Sequence, residues 1–416
     1  MTMPTIEADW LKDEKLQALL LALVGDGDEE ARVVGGAIRN TLLGQSVADI
    51  DIATTALPQT TIERAKAAGF KTVPTGIEHG TVTVVADGRP FEVTTLREDV
   101  ETNGRHAKVK FGRDWNADAE RRDFTINALY CDAEGTILDL VGGIADIEGR
   151  TLRFIGEASD RIEEDYLRVL RFFRFFAWYG KGRPDAAGLR AVTRLKAGVE
   201  RLSAERVWSE MRKLLAAPDP SRALLWMRQT GVLTLILPES EKWGIDAIHG
   251  LMDAEAHFGW TADAMLRLES LVPPDAARLA DLAKRLRLSN AERDRLLGFA
   301  AAEPVSPTLE DATLRARLYF GDRGGIVDRL RLALAVDKAK GEGRLAETAA
   351  LSRLLTAAEA FSPPAFPISG ADLQKAGMAH GRDLGGALKT LERSWVDSGF
   401  TLSRERLLAM MPVAGA

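Results

Sequence analysis

A single cysteine, Cys131, stands among the 416 residues, which excludes an internal disulfide and any cysteine-built metal cluster. Histidine is scarce as well. The five present, His79, His106, His249, His257 and His380, form no His-Asp pair and no HExxH, so a histidine-based metal hydrolase domain is excluded. No apolar run reaches the length that spans a bilayer. Residues 1–10 lack the basic and apolar regions of a signal peptide, and cytoplasmic residence is the expectation. Positive charge is not in excess either. The net charge is −6, so the chain does not carry the basic footprint of a nucleic-acid binder, although a local stripe can act within an acidic whole. No convincing repeat and no low-complexity tract occurs.

What is present is an ordinary globular composition, 46% hydrophobic and 28% charged. The length suits about two to four domains. Residues 31 to about 150 are rich in Val, Thr, Ile and Gly, with an Asp87-Gly88 turn between 81–86 and 91–96. That pattern predicts a compact domain of mixed α and β structure containing an antiparallel hairpin. From about 155 onward, apolar residues recur at a 3.6-residue period and predict helices to the end. Breaks are expected at 218–220, 273–274, 304–307 and 362–367, with a polar connector at 338–344.

The most informative stretch runs from Gly35-Gly36 through Arg39 to Asp49-Ile50-Asp51. It reads as strand, glycine turn, short helix, strand. Paired glycines let a phosphate approach the amides at a helix start. Arg39, one turn in, offers a planar fork of donors to the same anion. Asp49 and Asp51, two apart on a strand, leave the same face, with Ile50 and Ile52 directed into the core. Two hard oxygen ligands beside a phosphate cradle suit Mg²⁺ on a nucleoside triphosphate. A Gly-Gly turn or an Asp-x-Asp edge alone is usually only that. Their combination is far more specific.

Three further constellations carry chemistry. Glu92, on the strand 91–97, is either a third carboxylate for metal or proton or a half-exposed strand residue. Asp123 and Asn127, spaced i,i+4 on a helix, can bind a ribose edge as acceptor and donor, or Asp123 caps that helix. Residues 161–179 predict one helix, on which Glu164, Asp165 and Arg168 form intrahelical ion pairs. Arg168, Arg171 and Arg174 make a ridge on it without enough acids to neutralise them. Arginine only donates and aspartate only accepts. An Asp165–Arg168 reader would therefore admit cytosine and adenine and refuse uracil and guanine. Residues 97–120, made locally basic by Arg105, Lys108, Lys110 and Arg113, read as either a mobile functional loop or disorder. In the C-terminal part, Arg382, Lys389 and Arg393 surround a Gly385-Gly386 turn, as a solvated helix face or a phosphate contact.

These blocks, in this order, resemble the class II nucleotidyltransferases, the family of CCA-adding tRNA nucleotidyltransferases and bacterial poly(A) polymerases. The Gly35-Gly36…Arg39…Asp49-Ile50-Asp51 motif, the run from Arg121-Arg122-Asp123 to Asn127-Ala128, and Glu164-Asp165-Tyr166-Leu167-Arg168 carry the resemblance. Gly142-Gly143…Asp146 is similar to the family's hinge, and Glu205-Arg206 with Glu210 and Lys213 to the end of its neck. The resemblance implies an α+β catalytic head with a mixed sheet, of the polymerase-beta-like kind, followed by all-helical neck, body and tail. The parts would be an N-terminal helical segment at 1–30, head 31–150, neck 151–215, body 216–340 and a tRNA-binding tail 341–416. It implies that Asp49 and Asp51 bind metal, Mg²⁺, with Glu92 as third carboxylate. Gly35, Gly36 and Arg39 would hold the triphosphate, and Asp123 and Asn127 the ribose. Asp165 and Arg168 would read the base, Glu164 would steady Arg168, and Arg171 would touch phosphate. Asn40 departs from the acidic residue common there. The implied activity is addition of C, C and A to the tRNA 3′ end from CTP and ATP. The alternatives are poly(A) synthesis and a partial, CC- or A-adding enzyme. The 97–120 segment and the lack of a basic C-terminal extension favour the first.

Overall fold

Val33 and Val34 in the first strand and Ile52 and Ala53 in the second are buried, and their burial decides which side chains are left for chemistry. The computed structural model describes residues 4–103, 106–241 and 246–411. The chain divides into two compact units, Met1–Ile236 and Leu237–Ala416.

In the first unit, seven strands form one mixed sheet: β1 (Ala31–Val34), β2 (Asp51–Thr54), β3 (Lys71–Gly76), β4 (Thr81–Ala86), β5 (Arg89–Thr95), β8 (Leu129–Cys131) and β9 (Ile137–Asp139). Their order is β3-β4-β5-β2-β1-β8-β9. Only β2 and β5 run parallel, with Asp51 beside Glu92 and Ile52 beside Val93. The β4–β5 hairpin turns on Asp87 (φ 50°) and Gly88 (φ 82°), the left-handed pair that a two-residue hairpin requires. Residues 97–120 are not a structureless loop. They form a two-stranded ribbon, β6 (Arg97–Asn103) with β7 (His106–Phe111), and the helix Trp115–Glu120. Arg105 and the side chain of Lys108 lie outside the described residues. Val34, Ala53, Leu96, Trp115, Ala128 and Tyr130 pack together under the head.

The expected helix 161–179 is broken. One helix ends at Glu164 (Ala158–Glu164), Asp165 is extended at φ −152°, and a second begins at Leu167 (Leu167–Tyr179). The Asp165 carboxylate accepts the Leu167 amide at 3.0 Å, and its carbonyl accepts the Arg168 amide at 2.9 Å. Aspartate thus competes for its own backbone and starts a helix instead of continuing one. The Tyr166 ring lies against Gly198 so closely that a Cβ there would be 1.8 Å from the ring. Phe172, Phe173 and Phe176 of the second helix are buried. Phe172 stacks on Phe154 at 5.4 Å, and Phe154 lies 4.8 Å from Phe124, which fixes the helix Leu167–Tyr179 against the segment that carries Asp123.

The second unit is built of helices, and the breaks expected at 273–274, 304–307 and 362–367 fall between them, as the one at 218–220 does in the first unit; the connector expected at 338–344 instead overlaps the end of the helix Arg323–Ala339 and the 3-10 turn Glu342–Arg344. Its cores gather Leu314, Leu330, Leu334 and Leu354 in one cluster and Leu373, Leu391 and Trp395 in another. Gly385 and Gly386 lie inside the helix Arg382–Asp397, not in a turn. Among the described residues no helix is long and apolar enough to cross a membrane.

Candidate active site

A cavity of about 550 Å³ opens in the first unit between the sheet and the helix Leu167–Tyr179. Nine of the twelve residues singled out from the sequence line it: Gly35, Gly36, Arg39, Asp51, Asp123, Asn127, Asp165, Arg168 and Arg171. Asp49, Glu92 and Glu164 do not belong to its wall.

Asp51 is exposed at the first position of β2, between Ile50 and Ile52, which are 2% and 0% exposed. Asp49 is exposed too, but it precedes the strand rather than lying on it. Their common pleat is therefore not a feature of the fold; the two buried isoleucines do the fixing. Glu92 reaches Asp51's side of the sheet by register, one strand away, a spacing of about 4.8 Å between backbones. Surrounding protein, then the Glu92 carboxylate, push the Asp51 carboxyl above its ordinary value; Arg122 pulls it partly back and Asp49 adds to the rise. Among the described residues no three His, Cys, Asp or Glu side chains converge into a complete metal site. Two oxygen-only side chains short of counter-charge fit a hard cation whose remaining ligands come from substrate.

Gly35 turns the chain at φ 72°, and a Cβ there would lie 3.2 Å from the Asn127 carbonyl. Its amide donates to the Leu129 carbonyl at 2.9 Å. It is used in the sheet and is not available to an anion, contrary to the simple glycine-cradle expectation. Arg39, on the helix Gly36–Leu42, is only 7% exposed. It donates to Asn127 Oδ1, to Asn40 Oδ1 at 3.0 Å and to the Tyr179 hydroxyl at 2.8 Å, with its guanidinium 4.1 Å over the Tyr179 ring. All these partners are neutral. The departure at Asn40 thus leaves Arg39 oriented without a carboxylate bound to its fork, and its charge is uncommitted.

The other arginines are committed. Arg168 donates to Glu164 at 2.5 Å, to the Arg161 carbonyl at 2.8 Å and to the Arg121 carbonyl at 3.3 Å. Arg171 grips Asp123 at 2.7 and 2.5 Å, and Arg174 meets the buried Glu210 at 2.8 Å. The ridge expected to lack acids is neutralised by residues from other elements. Asp123 and Asn127 do not share a helix: Asp123 lies in a bend before the bridge residue Phe124, and Asn127 closes the 3-10 turn Thr125–Asn127. The Asn127 amide still donates to Asp123 at 3.0 Å. Burial alone would raise the Asp123 carboxyl, but Arg171 and Asn127 hold it below the ordinary range. Asp165 is gripped by Arg206 at 2.6 Å. Two site residues carry no local sequence signal: Arg206 reaches Asp165 from the later helix Ala204–Leu215, and Tyr179 meets Arg39, 140 positions away, from the far end of the helix that carries Arg168 and Arg171. Arg121 and Arg122 do carry a local signal, since Asp118 stands i,i+3 and i,i+4 from them.

Comparison with known proteins decides the family. The model of the Poly A polymerase head domain matches residues 31–153, and that of a probable RNA and SrmB-binding site of polymerase A matches 185–243. The mitochondrial CCA tRNA nucleotidyltransferase 1 of Mus musculus is 33% identical over 413 residues, spanning 94% of this chain and 88% of its own. The chain belongs to the CCA-adding nucleotidyltransferase family. The CCA-adding enzyme of Streptococcus gordonii is 32% identical over 384 residues, covering 91% of this chain and 92% of its own. The crystal structure of the Bacillus stearothermophilus CCA-adding enzyme in complex with CTP superposes with a TM-score of 0.72 at 26% identity, over 95% of each chain. The mixed-sheet head and helical remainder are the architecture of this family, and the protein is a nucleotidyltransferase.

Proposed function

We propose that this protein adds C, C and A to the 3′ end of tRNA, taking CTP and ATP and releasing pyrophosphate. The observation that carries the reading is a single cavity lined by an acid, Asp51, by an arginine with no carboxylate on its fork, Arg39, and by the held residues Asp165 and Arg168. Arg39 and the helix start after Gly35 and Gly36 take the triphosphate. Asp123 and Asn127 meet the ribose, with Arg171 ordering Asp123 and reaching phosphate. Asp165 accepts from the exocyclic amine of cytosine or adenine, and Arg168 donates to the neighbouring ring nitrogen. Glu164 and Arg206 hold that pair in place. The RNA 3′-hydroxyl oxygen attacks the α-phosphorus, the bond to the β-phosphate breaks, and pyrophosphate leaves with the electron pair. Glu92, beside Asp51 in the strand register, would accept the hydroxyl proton. Asp49 and Asp51 would hold a divalent ion, Mg²⁺, which supplies charge neutralisation for the phosphates and acidifies the hydroxyl. On this reading 31–150 is the head, 151–215 the neck, 216–340 the body and 341–416 the tRNA-binding tail, and the enzyme works in the cytoplasm.

Incubation with tRNA trimmed of its terminal trinucleotide tests the proposal. We expect a product longer by C, C and A and no further. A ladder of adenylates made without CTP would replace it with poly(A) synthesis, and a stop after C and C, or a need for preformed CC, with partial addition.

The raised Asp51 carboxyl also has a thermal consequence. A carboxyl raised in the folded state favours the protonated form there. Its contribution to stability is present below its ordinary range and is lost as pH rises through the raised value. A divalent ion relieves that loss and competes with the proton. Mg²⁺ should therefore raise Tm at about pH 8, and the increment should fade toward about pH 4. An increment independent of pH, or undiminished in Asp51→Asn, would contradict the assignment.

A further inference from the structure

Beneath the cavity lies a carboxylate that the proposed reaction does not use. Asp118, on the helix Trp115–Glu120, is 1% exposed. Its Oδ1 accepts from Arg121 Nε at 2.8 Å and Nη2 at 2.5 Å. Its Oδ2 accepts from Arg122 Nε at 3.1 Å and Nη2 at 2.9 Å, and from the Tyr130 hydroxyl at 2.7 Å. Tyr130 is fully buried and meets Trp115 edge-on at 5.0 Å. Five charge-assisted bonds thus converge on one anion from which water is excluded.

Both arginines line the cavity. Consecutive residues at a helix end diverge by about 100° around the axis, so nothing local brings two neighbouring guanidinium groups to one wall. Asp118 does so by taking one on each oxygen. The bonds use the Nε–Nη2 edge of each fork and leave both Nη1 groups outside the cluster. Two positive charges against one negative leave a net positive charge at the wall. Arg121, Arg122 and Asp51 line the same cavity, so this wall shares the space in which phosphate transfer is proposed. The Arg121 carbonyl also receives Arg168 at 3.3 Å, so the same turn braces the base-reading arginine.

We infer that Asp118 is a positioning residue: it holds Arg121 and Arg122 as a second anion clamp, facing phosphate of the incoming nucleotide or of the RNA 3′ terminus. The inference rests on the transfer reaction proposed above. It also makes a prediction whose sign separates positioning from simple charge. Removing a carboxylate makes the cavity more positive, and Coulomb attraction alone would tighten anion binding. Loss of positioning weakens it, because a bidentate fork binds phosphate only when aimed.

The full-length protein and its Asp118→Asn variant are titrated calorimetrically with inorganic tripolyphosphate, and KM and kcat are measured separately for CTP and for trimmed tRNA. Weaker tripolyphosphate binding with KM for CTP raised about tenfold or more assigns the clamp to the nucleotide. Unchanged tripolyphosphate binding with a raised KM for tRNA assigns it to the RNA. Both support the role. Tighter or equal tripolyphosphate binding with both KM values unchanged overturns it, whatever the effect on Tm. Should Asp118→Asn fail to fold, Arg122→Lys keeps the charge and loses the two-point grip, and the same KM comparison decides. Wild-type protein that transfers no nucleotide would sink the proposed reaction instead, so the two failures are distinct.

Discussion

Asp51→Ala should abolish nucleotide incorporation, by about 10³-fold or more, while tRNA binding stays within about twofold. On the proposed reading the effect is large because the residue would hold the divalent ion at the phosphates, and Glu92, its neighbour across the strands, cannot move into its place on a fixed sheet. The same substitution should not harm the fold. Among the described residues the Asp51 side chain makes no hydrogen bond or ion pair, and its carboxyl is raised by the surrounding protein, which displaces part of its hydration, and by Glu92. Removing it orphans no partner and relieves like-charge repulsion, so Tm should be equal or higher. Loss of activity with an unchanged or raised Tm is therefore the expected signature, read by incorporation of labelled CTP beside a melting curve. Asp49→Ala should act in the same direction. Incorporation that survives in the Asp51 variant would remove the metal-binding assignment and with it the proposed chemistry.

Arg168→Ala should collapse base choice. Arginine offers donors only, so on the proposed reading it would meet the ring acceptor of cytosine or adenine and reject the ring N–H of uracil or guanine. Sites that select by hydrogen bonding in this way discriminate by about 10⁴-fold, since the wrong partner leaves buried polar groups unpaired. The guanidinium is held at three points, Glu164, the Arg161 carbonyl and the Arg121 carbonyl, and cannot swing away to tolerate a mismatch. Without it, the ratio of kcat/KM for CTP over UTP should fall by about 10²-fold or more. Asp165→Asn should relax choice in a milder way, because an amide both donates and accepts. Glu164→Gln should weaken the grip on Arg168 and lower kcat/KM for CTP and ATP with less effect on selectivity. A preserved preference for C and A in Arg168→Ala would move base reading to other residues.

Several elements were legible because they are local. The strand, turn and helix carrying Gly35, Gly36 and Arg39, the buried isoleucines around Asp51, and the Asp87-Gly88 hairpin follow from short-range periodicity and turn chemistry. The helical breaks at proline follow from its missing amide. Other expectations failed at points where a side chain outcompeted propensity. The apolar pattern of 161–179 runs through Asp165 without interruption, yet Asp165 caps the following helix with its own carboxylate and carbonyl. A polar segment without periodicity at 97–120 becomes a ribbon because β6 and β7 pair with each other.

By itself the sequence determined the family motifs, the mixed head followed by helices, and the residue types of the site, because strand and helix periods act over a few residues. Tertiary structure alone decided the state of each charge. Arg171 meets Asp123 across 48 positions, Arg206 meets Asp165 across 41, and Arg39 meets Asn127 across 88. Coulomb and hydrogen-bond terms depend on distance in space, and no pattern of neighbours in the chain encodes distances closed only when the sheet and the helix Leu167–Tyr179 come together.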